Sequence, residues 1–496
     1  MLGIIAVCLL VGICALTYCR ARLVESRAHP LPPAYPGLLP IIGIAHLLLT
    51  DTTNLWRLLK NIVKHSLQHG GVSYVKVGPE FYYCISDPED ALVVVNTCLD
   101  KHFIYGFAKY WLGDGLITGS GDHWHRHRQM LKSSFSLPII NGYLEVFNDQ
   151  SRILLSALEG SVGKGKIEAS SHIRKVILGS SYLTTFGKSA NDEKFYPRYM
   201  KAADEMLYLL MRRFQKIWLH SNLIHTLLGH KKQESELVKT VKDISDEIMQ
   251  TTKSFNMSAN TRPLSSYVSY EPLLDLMLQQ PIKNRFTDQE ITDELHTTIV
   301  AAYDTTSITL ESTLILIGSF PNVQERIYEE IMQVVGTDRD IDKEDLRKLV
   351  YTEAVIKESL RVLPPVPVIV RYIDRDVKIK NYTLRAGSQC LIPIYGVYRH
   401  PSWGPDSDQF RPERWLDPAT LPPSHVITDA AFSFGKRTCI GKTYAMTSLK
   451  VAVAHILRKF IITADYSKLQ FQMQMTLKPV SGNEISLERR SGSIAI

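Results

Sequence analysis

The apolar positions of this chain change period several times. Met1–Cys19 is apolar throughout, carries no charged side chain, and is followed by Arg20, Arg22 and Arg27. As a helix this run spans about 28 Å, close to a bilayer core. Basic residues on its C-terminal side predict a transmembrane anchor over 1–19 with the remainder in the cytosol. A cleavable leader would carry its basic residues first, ahead of a small-residue site. Residues 20–43 are basic and proline-rich, which predicts a stiff, non-helical linker. Residues 72–86 (VSYVKVGPEFYYCIS) alternate around Gly78-Pro79 and predict a β-hairpin, and Asp87-Pro88-Glu89 predicts a helix start. From about 120 to 360 the spacing is mainly helical, with one long run over roughly 288–317. Val366–Tyr372 and Gln389–Tyr395 are β-like, 401–438 is irregular, 441–460 predicts a last long helix, and 469–488 is β-like again. Residues 251–270 are polar and predict a loop. Ile217, Trp218, Leu219, Leu223, Ile224, Leu227 and Leu228 read first as one face of a core helix, with a membrane-dipping lip as the alternative.

Together these elements predict an α+β, mainly helical body with β pieces from both ends of the sequence. The 496 residues would allow about three domains. The interleaved pattern instead predicts a single domain over 44–496, a large helical part joined to a small β-rich one. Hydrophobic residues at 45% and charged residues at 22% exclude a disordered chain. A net charge of +7 with no dense basic stripe argues against nucleic acid and suits an acidic protein or an anionic membrane surface. Three of the seven cysteines fall in the apolar run, and Cys84, Cys98, Cys390 and Cys439 have no regular spacing. Neither a structural zinc site nor a disulfide framework follows from them, and the body reads as a protein of a reducing compartment.

The segment Phe432-Ser433-Phe434-Gly435-Lys436-Arg437-Thr438-Cys439-Ile440-Gly441 places one cysteine directly before a helix. Helix N-terminal amides and a neighbouring guanidinium both stabilise thiolate, and a thiolate so held is an axial ligand for haem iron. Gly435 permits a turn with positive φ, and Gly441 permits close approach of a flat group. A lone cysteine is more often a small core residue. The surrounding pattern, FxxGxRxCxG, has five fixed positions and a chance frequency of about 10⁻⁴ in a chain of this length.

That pattern resembles the haem-binding loop of the cytochrome P-450 family, and the resemblance extends along almost the whole chain. Trp124-His125-Arg126-His127-Arg128 is similar to its WxxxR helix, Ala301-Ala302-Tyr303-Asp304-Thr305-Thr306 to its (A/G)GxDTT, Glu358-Ser359-Leu360-Arg361 to its ExxR, and Phe410–Trp415 to its FxPERF segment. Trp111–Leu116 and Glu294–Thr306 look most like the family-4 clan, its insect members in particular.

The resemblance implies non-covalent haem b with Cys439 as axial thiolate and sole protein ligand of the iron. Trp124, Arg128, Arg371 and Arg437 would meet the propionates. Asp304 and Thr305 would be catalytic, delivering protons on the oxygen-binding face, although a helical threonine can simply bond back to the preceding turn. Glu358 and Arg361 are either an exposed pair or, with Arg414, a buried structural triad. Ala302 departs from the usual glycine and narrows the oxygen pocket. Ala301 cannot form the haem ester made by clan members with glutamate there. Tyr105, Phe107, Thr297, Val366, Val368, Ile369 and Leu477 fall in segments that line the family's substrate pockets.

The implied activity is a monooxygenase of the endoplasmic reticulum membrane, its body on the cytosolic side. It would insert one atom of O₂ into a small apolar substrate, whether fatty acid, terpenoid, hormone or xenobiotic. Electrons would come from NADPH through NADPH–cytochrome P-450 reductase, with cytochrome b5 as a further donor. Arg126, Lys132, Lys436 and Lys442 would form a basic face for that acidic partner. A haem-thiolate isomerase or dehydratase is one competing reading, and the intact Asp304-Thr305 pair argues against it. A haem-binding protein without turnover is another.

Overall fold

The computed structural model describes residues 30–187, 195–258, 270–280, 285–423 and 427–490 together with Gly12, the side chains of 249–258 excepted. The expected anchor and the first part of the linker therefore lie outside the described residues. Among the described residues no helix is long and apolar enough to cross a membrane. The described part of the proline-rich stretch lies along the edge of the first sheet: Tyr35 N–H donates to Tyr74 O at 2.9 Å, and Tyr74 N–H to Pro33 O at 3.0 Å.

Helix α1 (Thr52–Gln68) starts where the Asp51 carboxylate accepts the Asn54 amide at 2.8 Å. It leads into the expected hairpin, β1 (Val72–Val77) and β2 (Glu80–Ile85), and then α2 (Pro88–Thr97), capped by Asp87 with Pro88 in its first turn. The helical part comprises α3 (Gly121–Leu131), α4 (Leu144–Glu159), α5 (Ser170–Phe186), α6 (Phe195–Gln215), α7 (His230–Ser258), α8 (Asp288–Ser319), α9 (Pro321–Val334) and α10 (Val350–Val362). The chain then supplies β3 (Ile369–Tyr372), β4 (Gln389–Ile392), α11 (Lys442–Lys459), β5 (Phe460–Thr463), β6 (Gln470–Met473), β7 (Leu477–Ser481) and β8 (Ile485–Arg489).

The principal sheet has the order β1-β2-β4-β3. The hairpin is antiparallel with Val72 opposite Ile85. β4 joins β2 in parallel, Tyr82 opposite Gln389, and β3 joins β4 antiparallel, Arg371 opposite Cys390. The N-terminal hairpin is thus completed by strands about 300 residues later, as the β pieces at both ends implied. β8 pairs with β5 and with the two-residue strand Lys166–Ile167, and β6 pairs with β7.

Three expectations change. Both later β-like runs are shorter: β3 begins only at Ile369, after Pro365 and Pro367, and β4 ends before Pro393, because proline cannot donate to a ladder. The expected loop at 251–270 is helical as far as Ser258, and 259–269 lie outside the described residues. Val238, Val241, Ile244 and Ile248 bury one face of α7, and a helix anchored in this way extends through a polar tail at little cost. Finally, 217–228 is not a core helix. It forms a short 3₁₀ turn and a six-residue helix, and Leu223 and Leu227 are 69% and 76% exposed; of the seven apolar residues only Leu219 is buried.

Helix α8 organises the body. A capping box begins it, Thr287 accepting the Glu290 amide while Glu290 accepts the Thr287 amide. It is then buried on nearly every face, packed on α5, α10, α11 and β5. An all-round buried helix is the mark of a core-crossing element.

Candidate active site

The cysteine loop precedes α11 as expected. Cys439 N–H donates to Phe432 O at 2.8 Å and closes the loop, with Gly435 at φ 74°. A β-carbon on Gly435 would come within 2.7 Å of Val95 and 2.8 Å of Asn96, so glycine is required there for both conformation and space. Cys439 lines a cavity of about 440 Å³, and its exposed surface opens onto that cavity. Burial pushes its thiol upward. The Gly441 amide, Arg128 and Lys442 oppose this and do not overcome it. Thiolate in this loop is therefore favoured by a cation bound at the sulfur.

The same cavity is lined by Lys101, Trp124, Arg128 and Arg437. Trp124 and Arg128 reach it from one face of α3, as their spacing of four requires. The Arg437 guanidinium stacks 4.2 Å from the Trp124 ring and donates to Gly119 O at 2.9 Å, but its Nε and Nη1 are buried without a hydrogen-bond partner. Arg371 projects from β3, 1% exposed. One of its nitrogens donates to Val370 O, and its Nε is likewise unpartnered. Burial, reinforced by Arg371, lowers Arg437 to about 10, and burial also depresses Arg128 and Arg371. Lys101 is held well below the normal lysine range by burial and then by Arg371 and Arg437. Unpaired buried donors and mutually repelling cations cost several kcal/mol unless an anion completes the site.

Helix α8 contributes Ala301, Ala302, Asp304, Thr305 and Thr306 to the cavity. The helix continues unbroken through these residues. Thr305 Oγ1 donates to Ala301 O at 2.7 Å, so the hydroxyl remains free to accept. Asp304 is 5% exposed. Its carboxylate accepts from Thr476 Oγ1 at 2.7 Å and pairs with Lys478 Nζ at 3.2 Å. Lys478 also pairs at 3.2 Å with Asp204, which is partly exposed and held by Arg174 at 2.6 Å. A continuous polar chain thus runs from the cavity towards solvent.

The cytochrome P450 family model matches residues 33–486. This chain belongs to the cytochrome P450 family. It is 29% identical over 484 residues to "Cytochrome P450 4V2" of Rattus norvegicus, covering 94% of this chain and 91% of the relative. It is 29% identical to "Cytochrome P450 4d2" of Drosophila melanogaster, covering 99% and 100%, and 30% identical to "Cytochrome P450 4c21" of Blattella germanica, covering 82% and 83%. The resemblance to family 4 read from the sequence is borne out. The protein is a haem-dependent monooxygenase of a family that binds haem b through a cysteine thiolate.

The ExxR residues of this P450 are buried rather than exposed. Glu358, Arg361 and Arg414 are each 0% exposed. One Glu358 oxygen accepts from Arg361, Arg414 and the Arg411 amide; the other accepts from Arg361 and the Trp415 indole, all at 2.8–3.0 Å.

Of the expected pocket residues, Tyr105, Thr297, Val366, Val368 and Ile369 line the cavity, whereas Phe107 and Leu477 do not. Phe107 is taken up by the Arg213 guanidinium at 4.0 Å and by His220. Leu477 packs with Trp56, Leu363 and Phe471, while its neighbour Thr476 lines the cavity, as alternation beside a strand dictates. Lys101, Thr476, Lys478 and Asp204 carry no motif, and only the pairing of distant segments brings them to the site. The bridge between Lys101 and Arg371, 270 residues apart, is such a pairing.

Proposed function

We propose that Cys439 would ligate the haem iron, that Trp124, Arg128, Arg371, Arg437 and Lys101 would bind the haem carboxylates, and that Asp304 and Thr305 would deliver protons. The observation that carries this reading is the convergence on one cavity of the Cys439 thiol, the cations Lys101, Arg128 and Arg437, the last with unpartnered donors, and the acid–alcohol pair of α8. When bound, haem supplies the reduction of O₂ and transfer of one oxygen atom to an organic substrate. The protein's own residues do the rest. The cations neutralise the carboxylates in a low-dielectric rim, and the Gly441 amide and Lys442 favour thiolate at Cys439. Thr305 Oγ1 would accept from a water in the cavity, and Asp304 would pass protons inward from the Lys478–Asp204 chain. The remaining lining is chiefly apolar, including Leu116, Leu207, Leu210, Phe214, Val366 and Ile369, and suits a fatty acid, terpenoid, hormone or xenobiotic.

Electrons come from NADPH through NADPH–cytochrome P-450 reductase, with cytochrome b5 as a further donor. Lys132 and Lys436 are exposed and offer charge to an acidic partner, whereas Arg126 is engaged by Glu290 and Lys442 by Asp429. The exposed Ile217, Trp218, Leu223, Ile224, Leu227 and Leu228, together with Leu39, Ile41 and Ile42, suit immersion in a membrane surface beside the anchor. The endoplasmic reticulum membrane, with the 44–496 body in the cytosol, fits this reading.

A panel of apolar substrates turned over with NADPH and reductase tests it, with Cys439→Ser as the control. Oxygenated product that depends on NADPH and is lost together with the red-shifted CO band in Cys439→Ser supports the proposal. Product formed from peroxides without NADPH, or no product with any substrate, would favour the isomerase or the carrier.

A further inference from the structure

Outside the haem site, α3 and the start of α8 bring together the ligand atoms of His123, His127 and Glu290, all within 4.8 Å of one another. We propose that these three residues form a binding site for a zinc-class transition-metal ion.

His123 and His127 are four apart on α3 and share a face, their ring centroids 3.9 Å apart. His127 is buried. Its Nδ1 lies 2.7 Å from the fully buried carboxylate of Glu294, which also accepts the Leu116 amide. With the proton on Nδ1, the Nε2 lone pair points at Glu290 Oε1, 3.2 Å away. An imidazole fixed by a buried carboxylate is the arrangement that orients histidine towards zinc. Bonds of about 2.0–2.1 Å around a tetrahedral ion put neighbouring ligand atoms about 3.4 Å apart, so the His127–Glu290 edge already has nearly the right length. His123 Nε2 is hydrogen-bonded to Asp114 O at 3.0 Å, which leaves Nδ1 as its available lone pair.

A cation already occupies part of this position. Arg126 Nη2 contacts Glu290 Oε1 and lies 3.2 Å from His127 Nε2, donating to the atoms that would bind a metal. The Arg126 side chain is 43% exposed and can swing into solvent, so metal and Arg126 compete. Three protein ligands leave one coordination position for water, and imidazole donors select zinc, nickel or copper over magnesium. A bound ion would tie α3, which carries Trp124 and Arg128, to the first turn of α8.

The test is equilibrium dialysis of the untagged, haem-loaded full chain against buffered Zn²⁺, with bound metal counted by elemental analysis and folding checked by the haem spectrum. Expected is one zinc per chain at micromolar free metal, weakened at least ~10-fold in His123→Ala, in Glu290→Gln and in Glu294→Gln. Arg126→Ala should bind zinc more tightly than the unaltered protein, because its competitor is gone, and Mg²⁺ should not displace zinc. Absence of binding up to millimolar zinc would overturn the proposal. So would equal affinity in His123→Ala and the unaltered protein, or weaker binding in Arg126→Ala.

Discussion

Replacing Glu358 by glutamine keeps the volume of the side chain and removes one charge from a site with no access to water. The two oxygens of Glu358 accept five hydrogen bonds, three on one and two on the other. An amide retains at most one accepting oxygen. If that oxygen keeps the three-donor position, the new NH₂ faces Arg361 Nε and the Trp415 indole, and both lose their acceptor. Each buried donor so orphaned costs about 1–3 kcal/mol, and loss of the charge leaves two guanidinia, both 0% exposed, balanced chiefly by Asp406. Breaking a buried ion pair from one side costs about 3–5 kcal/mol, and a value near 4 is expected here. Unfolding entropy for 496 residues is about 1 kcal/mol/K, so the melting midpoint should fall by about 4 °C. The assay is the thermal midpoint by circular dichroism, alongside retention of the CO band, since Arg411, Arg414 and Trp415 lie in the segment that leads to the cysteine loop. Adding Arg414→Met should recover part of the loss, because one uncompensated cation then disappears. A Glu358→Gln protein that melts within 1 °C of the parent would refute the reasoning, since the triad would then carry no net electrostatic weight.

Thr305→Ala should keep fold and haem, because alanine is a good helix former, while product per NADPH falls about tenfold (about 1.4 kcal/mol between branches) and hydrogen peroxide rises to match; unchanged coupling would reduce Thr305 to its bond with Ala301. Because Ala301 offers no carboxylate, acidic organic solvent should extract all the haem, and haem retained on the polypeptide would contradict that expectation. Leu223→Ser with Leu227→Ser should weaken binding of an anchor-deleted protein to vesicles without changing its haem spectrum; unaltered partitioning would remove the membrane reading of that surface. His455 is buried, accepts from Arg458 and lies 2.8 Å from Asn148, and burial lowers it to about 3. Below pH 6.5 the unfolded chain binds the proton that the folded chain refuses, so stability falls with acid, by about 2 kcal/mol from this group at pH 5. His455→Gln should flatten denaturant midpoints between pH 7 and pH 5, and an unchanged slope would show that this histidine is not responsible.

Local chemistry was legible in the sequence. The hairpin at 72–86, the helix start at Asp87-Pro88 and the final helix after Gly441 follow from alternation, capping and turn residues, all of which act within a few positions. The Cys439 loop and the WxxxR face of α3 were likewise visible, because their residues are neighbours along the chain or along one helix. What sequence spacing could not supply was decided by tertiary packing. Periodicity marks a face as apolar without saying whether anything covers it, so 217–228 looked like core and is exposed. The proline positions truncated strands whose apolar runs looked longer. Lys101 joins the cation rim only because it bridges to Arg371, and Asp304 meets Lys478 only because β7 returns beside α8. Leu477 and Thr476 exchange roles by one step of a two-residue period, which no window of the sequence registers until the strand has a partner. Charges and hydroxyls take their function from distant neighbours, and that proximity is a property of the folded chain.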